Sequence, residues 1–189
     1  HAATACYTSP FSEGVCAILD GYGEGRASCC YTYKNGKIQE IGGIKKENVG
    51  SLGLFYIFVC DTCGFGHLAG EEWKVMGLAA YGELDVKIYD IFRSLIKVNG
   101  LNIEFCRGAK SFQLFQKMYS IKRKKEEPPV TAANIAYTGQ LVFSEILFEY
   151  LNNLYDLRIS ENLILGGGCA LNSSANGKII EKTKFKKVH

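Results

Sequence analysis

The sequence predicts an α/β domain, and three observations carry that reading. Gly14 to Leu19 is a short apolar run that ends in the acidic glycine loop Asp20-Gly21-Tyr22-Gly23-Glu24-Gly25. Asn35-Gly36, a strong two-residue hairpin signal, separates the β-rich stretches Ala27 to Lys34 and Lys37 to Ile44. Near the other end, Leu163-Ile164-Leu165 reads as a buried strand that enters Gly166-Gly167-Gly168, with a helix expected from about Leu171.

Three antiparallel strands with an acidic loop after the first are the arrangement of phosphate-binding hairpins in actin/hexokinase-like ATPases, the ribonuclease H-like class. The expected fold is an incomplete member of that class. Residues 14–44 form the hairpin strands, 51–156 a helical middle, and 163–180 the nucleotide turn and helix. In the middle part, helices are expected from Ser51 to Cys60, from Trp73 to Ala80, from Val86 to Ile96 and from Lys110 to Tyr119. Glu71 and Glu72 suit the N-terminus of the second of these. Thr131 to Asp156 shows the clearest helical stripe, through Ile135, Val142, Phe143, Ile146, Leu147, Tyr150, Leu151 and Leu154. The charged run Lys122-Arg123-Lys124-Lys125-Glu126-Glu127 before Pro128-Pro129 reads as a solvated surface loop.

Composition narrows the function classes. The 189 residues are 47% hydrophobic and 22% charged, ordinary for a globular chain with a real core. A net charge of +3 is too small to imply nucleic acid or a membrane surface as partner. No apolar run reaches the length of a membrane span. The start, His1-Ala2-Ala3-Thr4, has no basic leader, so no secretory signal is expected. The eight cysteines sit mostly in apolar segments without a regular framework, which points to the reducing cytoplasm.

Four groups of residues are candidates for chemistry. Asp20, with Gly21 and Gly23 behind it, could hold a metal and offer bare N–H groups to phosphate oxygens. A glycine-rich turn is the plainer alternative, and by itself the motif favours it. Gly166, Gly167 and Gly168, followed by Asn172, make a seat for an anion or nucleotide. Tight helix–strand packing would account for one glycine better than for three. Glu72 and Lys74 straddle the only Trp, either to contact a ligand or as an ion pair at a helix start. Cys60 and Cys63 have the spacing of a redox or zinc pair, but no second pair accompanies them, so two structural thiols are the better reading. His67 nearby is isolated, and His1 has no meaning by itself.

The order of these pieces resembles the O-carbamoyltransferase family, which includes nodulation-type and antibiotic-tailoring enzymes. The matching stretches are His1-Ala2-Ala3, Ser9-Pro10-Phe11, Leu19 to Glu24, Ser51 to Tyr56, Gly64-Phe65, Trp73 to Gly82, Gln140, Gly166 to Ser173, and Ala175 to Lys178. The sequence departs at Ala80, where proline is usual, at Glu71, and throughout Leu84 to Glu127, the part expected to shape the acceptor side.

The resemblance implies a domain related to the universal tRNA threonylcarbamoyl-adenosine enzyme, with a divalent metal, iron, for which His1 and Asp20 match two ligands. It implies that carbamoyl phosphate and ATP give carbamoyl adenylate in a second domain. The present domain would pass the carbamoyl group to a hydroxyl of a small-molecule acceptor. Gly21, Gly23, Glu72, Lys74, Gly166, Gly167, Gly168 and Asn172 would contact the nucleotide-bearing ligand. Two further ligands would flank the chain, a histidine before residue 1 and an aspartate after residue 189. The expectation is therefore a fragment, inactive alone, for which a homodimer stays open. A sugar or carboxylate kinase of the same fold is the rival reading, and a non-enzymatic metal or redox module is the rival from another class.

Overall fold

The structure, a computed structural model, describes residues 1–23, 26–42, 50–66 and 69–189. It is a mixed α/β chain that divides into two compact units. A sheet unit comprises residues 1–53, 98–104 and 147–189, and a helical unit comprises 54–97 and 105–146.

The sheet unit is built on strands β1 (Glu13–Gly23), β2 (Arg26–Lys34), β3 (Lys37–Glu40), β6 (Asn162–Gly166) and β7 (Lys187–Val188). Their order is β3-β2-β1-β6-β7. The first three are antiparallel neighbours, whereas β6 runs parallel to β1, and β7 parallel to β6. Asn35 and Gly36 take φ of 49° and 76°. Two successive positive φ values are what the tight hairpin turn requires, so the dipeptide sets the β2–β3 register. Strand β3 ends at Glu40, short of the expected Ile44, and residues 43–49 lie outside the described part.

The two faces of the sheet are covered differently. Alternation puts Cys16 and Ile18 of β1 on one face, where they form a small core with Tyr33, Ile164 and Cys6. Cys6 belongs to α1 (Ala2–Thr8), a helix that the sequence does not announce. Seven residues are too few to hold a helix alone, and burying Cys6 against the sheet stabilises it. On the other face, Tyr150 of α6 (Ala133–Tyr155) is fully buried, its hydroxyl 3.0 Å from Cys30 Sγ.

In the helical unit, α2 (Leu52–Thr62, mostly in this unit), α3 (Glu72–Ala79), α4 (Val86–Leu95) and α5 (Ala109–Ile121) occupy the expected segments within a few residues. Asp85 caps α4 by accepting from the N–H groups of Lys87 and Ile88. Phe55 and Phe92 meet edge to face at 5.8 Å. Gly139 of α6 lets Val59 approach, since a Cβ there would lie 2.3 Å from a Val59 methyl.

Two expectations are corrected. The segment after α4 forms a hairpin of β4 (Ile96–Asn99) and β5 (Asn102–Phe105). The charged run after α5 is not wholly solvated either, because Arg123 is buried. Its guanidinium donates to the carbonyls of Cys63, Gly64, Lys124 and Glu127, at 2.7, 2.9, 3.1 and 2.6 Å. A planar fork of donors can close four carbonyls at once, which an ammonium cannot. No helix among the described residues is long and apolar enough to cross a membrane.

Candidate functional site

The site forms where β1 leaves the sheet. Pairing with β2 is regular up to Leu19↔Ser28 and resumes only at Gly23↔Arg26, so Asp20, Gly21 and Tyr22 stand opposite Ala27 alone. Such a bulge frees a residue from the ladder and re-aims it. Asp20 follows Cys16 and Ile18 in the period-two alternation, which turns it to the face that α1 covers. There His1, at the N-cap of α1, places Nε2 3.2 Å from Asp20 Oδ2. Asp20 Oδ1 accepts from the Gly21 N–H at 2.7 Å, and the Asp20 carbonyl accepts from the Ser51 hydroxyl at 2.8 Å.

The three glycines wrap this strand end. A Cβ on Gly166 would lie 2.8 Å from Ile18 Cδ1 and 3.3 Å from Ala5 Cβ, so the glycine lets α1 sit down on the sheet. Gly167 turns the chain with φ of 85°, and a Cβ there would lie 2.3 Å from the Leu19 carbonyl oxygen. A Cβ on Gly168 would lie 2.9 Å from Asp20 Oδ1. Backbone packing thus requires Gly167 outright, whereas Gly166 and Gly168 stand against the ends of the Ile18 and Asp20 side chains. Gly21 differs, because nothing described lies within 4 Å of its Cβ position.

After the glycines comes a 3-10 turn, Gly168–Leu171, and then the short helix α7, Ser173–Asn176. Asn172 is buried, and its Oδ1 caps α7 by accepting from the Ala175 N–H at 3.0 Å. Asn176 Nδ2 donates to the Ala170 carbonyl at 2.7 Å. Its Oδ1 is a buried acceptor with no partner among the described residues. Burial, and then the charge of Asp20, push the Cys169 thiol up to about 12, so it stays protonated at neutral pH.

A cavity of about 250 Å³ opens beside His1 and Asp20. Its wall includes Arg26, Ser28, Cys29 and Tyr31 of β2, and Glu40 of β3. Arg26 Nη1 pairs with Glu40 Oε1 and lies 3.8 Å from Cys29 Sγ. Burial, followed by Cys29 and Glu40, raises the Tyr31 phenol to about 12. Sequence reasoning did not find these wall residues. They come together only through the β2–β3 register, although the Asn-Gly turn that fixes this register was legible.

The remaining candidates belong to other segments of the chain. Glu72 opens α3, and Lys74 pairs with Glu71 while lying over the rings of Phe65 and Trp73 at 5.7 and 5.8 Å. Lys74 first, then the Gly66 N–H, holds the Glu71 carboxyl below its ordinary range. These residues belong to the helical unit. Cys60 and Cys63 are buried there, and burial raises both thiols to about 12, so neither offers an accessible thiolate. Gly23 ends β1; Glu24, Gly25 and His67 lie outside the described residues.

Two protein donors on one ion, each about 2.1 Å from it, stand about 3.0–3.4 Å apart at octahedral to tetrahedral angles. His1 and Asp20 have that spacing at 3.2 Å, and imidazole with carboxylate suits a divalent transition metal. No group of three metal-ligating side chains occurs among the described residues. The pair thus fits part of a coordination shell.

An α/β chain with a small polar cavity beside its central strand is the class that fold and site define. Its family follows from comparison: the chain belongs to the family described as Carbamoyltransferase N-terminus, whose model matches residues 1–189. An uncharacterised protein of Synechocystis sp. is 31% identical over 205 residues, covering 100% of this chain and 32% of that protein. The nodulation protein NolO of Bradyrhizobium diazoefficiens is 26% identical, covering 98% of this chain and 33% of its own length. Nodulation protein NolNO of Sinorhizobium fredii is 24% identical over 192 residues, covering 100% of this chain and 27% of that protein. The chain spans about a third of the length of these relatives.

Proposed function

We propose that this chain forms the transferring part of an O-carbamoyltransferase. Carbamoyl adenylate, made from carbamoyl phosphate and ATP, would give its carbamoyl group to a hydroxyl of a small-molecule acceptor. The acceptor oxygen bonds to the carbamoyl carbon, the bond from that carbon to the adenylate phosphate oxygen breaks, and AMP leaves. The hydroxyl proton passes to a base, for which the cavity offers the side chains of His1 and Asp20.

The observation that carries this reading is the pairing of His1 and Asp20 at the end of β1, inside the glycine turn. A bound divalent metal, with iron as the proposed ion, would supply charge neutralisation and polarisation there. His1 and Asp20 would contribute two of its ligands. The open space at Gly21 and the unpartnered Asn176 Oδ1 support binding of the phosphate and adenosine parts nearby. The hairpin and the parallel glycine-turn strand support membership of the actin-like ATPase class. Family membership favours group transfer over the kinase reading.

The test uses the full-length protein with ATP, carbamoyl phosphate and a panel of hydroxylated acceptors. Carbamoylated product with stoichiometric AMP is the expected result. Phosphorylated acceptor with ADP instead would refute the proposal in favour of a kinase.

A further inference from the structure

We propose that Arg26 and Glu40 form the wall that reads the carbamoyl group, a role that rests on the function proposed above. The Glu40 carboxylate would accept from the carbamoyl NH2, and the Arg26 guanidinium would donate to its carbonyl oxygen.

Position supports this first. Both residues line the same cavity of about 250 Å³ as His1 and Asp20. That volume is below the range of about 300–1,000 Å³ usual for whole drug-sized ligands, so it suits one small planar group. Charge supports it next. The wall carries two carboxylates, Asp20 and Glu40, against one guanidinium. Arg26 and Glu40 compensate one another, so this part of the wall suits a neutral amide, which needs both a donor and an acceptor.

Donor and acceptor capacity completes the case. Arg26 uses Nη1 on Glu40 Oε1 and Cys29, and Glu40 uses only Oε1. Among the described residues, Arg26 Nε and Nη2 therefore retain donors, and Glu40 Oε2 retains an acceptor. Their mutual pairing fixes the two groups side by side. A carbamoyl group presents the complementary pattern on one edge, an N–H beside a C=O. An ester of the same shape lacks the N–H and leaves Glu40 Oε2 unmatched, which is the basis for discrimination.

Cys29 supplies the reporter. It lies on the cavity wall beside Arg26, and it is half-buried; apart from Cys106, the other cysteines are buried. In the full-length protein, methyl methanethiosulfonate labelling of Cys29 is timed by peptide mass spectrometry, with Cys106 as the internal reference. Methyl carbamate and methyl acetate, which differ by NH2 against CH3, are the probes. Methyl carbamate at about ten times its dissociation constant should slow Cys29 labelling about tenfold, leaving Cys106 unchanged. Methyl acetate should give little protection. Glu40→Leu and Arg26→Ala should each abolish the preference, and Arg26→Lys should retain part of it, with thermal melting confirming folded variants. Equal protection by both probes, no protection, or a preference that survives both variants overturns the proposal. Transfer activity in the same preparation separates the two ideas. Selective protection without carbamoyl transfer removes the function and keeps the subsite, whereas transfer without selective protection removes only the subsite.

Discussion

Gly168 stands against Asp20, with room for a hydrogen but not for a methyl group: a Cβ would lie 2.9 Å from Asp20 Oδ1. The obstructing atom is the end of a side chain, so Gly168→Ala should be accommodated by turning the carboxylate. That turn breaks the Gly21 N–H bond and moves Oδ2 from His1, at a cost of about 1 kcal/mol. Urea unfolding should show this small loss, while carbamoyl transfer by the full-length protein should fall steeply. Unchanged transfer would mean that the Asp20 orientation does not matter. Gly167 is unsuitable for the same experiment, because its φ of 85° and the Leu19 carbonyl 2.3 Å from a built Cβ would strain the backbone itself.

Arg123 carries a second prediction, about stability alone. It is buried beneath a segment that otherwise looks like a charged loop, and it closes four backbone carbonyls. Bonds from a charged donor contribute more than neutral ones, and the carbonyls of Cys63 and Gly64 would lose their cap. Arg123→Ala should cost at least about 3 kcal/mol in urea unfolding. Arg123→Lys should recover only part of it, since one ammonium cannot span the fork. A loss below about 1 kcal/mol for the alanine variant would show that the loop does not depend on this clamp.

The difference between Arg123 and its neighbours explains much of what the sequence concealed. Nothing local marks Arg123, rather than Lys122 or Lys124, as the residue that turns inward. The β2–β3 hairpin was legible because Asn35-Gly36 specifies its own backbone, and Asp20 because glycines follow it at the end of an apolar run. Between β4 and β5 no such dipeptide marks the turn: Asn99 still belongs to the strand, and of the turn residues Gly100 and Leu101 only Gly100 takes a positive φ, of 59°. Helix α1 had no cap and no long stripe, and only tertiary burial of Cys6 makes it. The site was half legible for a similar reason. Asp20 came from a motif and His1 from the family resemblance alone, whereas Arg26, Tyr31 and Glu40 are assembled by register.

Alkaline pH should destabilise the chain, through its buried thiols. Burial raises Cys30, Cys60, Cys63 and Cys169 from an ordinary 9.0 to about 12. Below pH 9 both folded and unfolded states keep these protons, so the full stability is present. Between pH 9 and 12 the unfolded chain releases protons that the folded chain holds, and stability falls as pH rises. Each thiol that differs in this way contributes up to about 1 kcal/mol per pH unit. Melting temperature measured in a reducing buffer from pH 7 to 11 should be flat at first and then drop beyond pH 9. A flat profile to pH 11 would contradict the burial of these groups.

The pair His1 and Asp20 carries the final prediction. Asp20→Asn retains an oxygen that can accept from the Gly21 N–H, so the local backbone should hold and the melting temperature should change little. What it removes is the negative charge and the second oxygen, which faces His1 Nε2 at 3.2 Å. An amide is a much weaker ligand than a carboxylate for a divalent transition metal, and it cannot take up the acceptor proton. In the full-length protein, Asp20→Asn should therefore lower metal content and reduce carbamoyl transfer by at least about 100-fold. His1→Gln should reduce both in the same direction, because imidazole is lost while α1 keeps Cys6 in the core. The two substitutions should not multiply, since either one already disables the shared site. Metal analysis beside steady-state rates for the single and double variants is the measurement. Full metal content with full activity in Asp20→Asn would remove this pair from the reaction, whereas losses that multiply would mean that the two residues act separately.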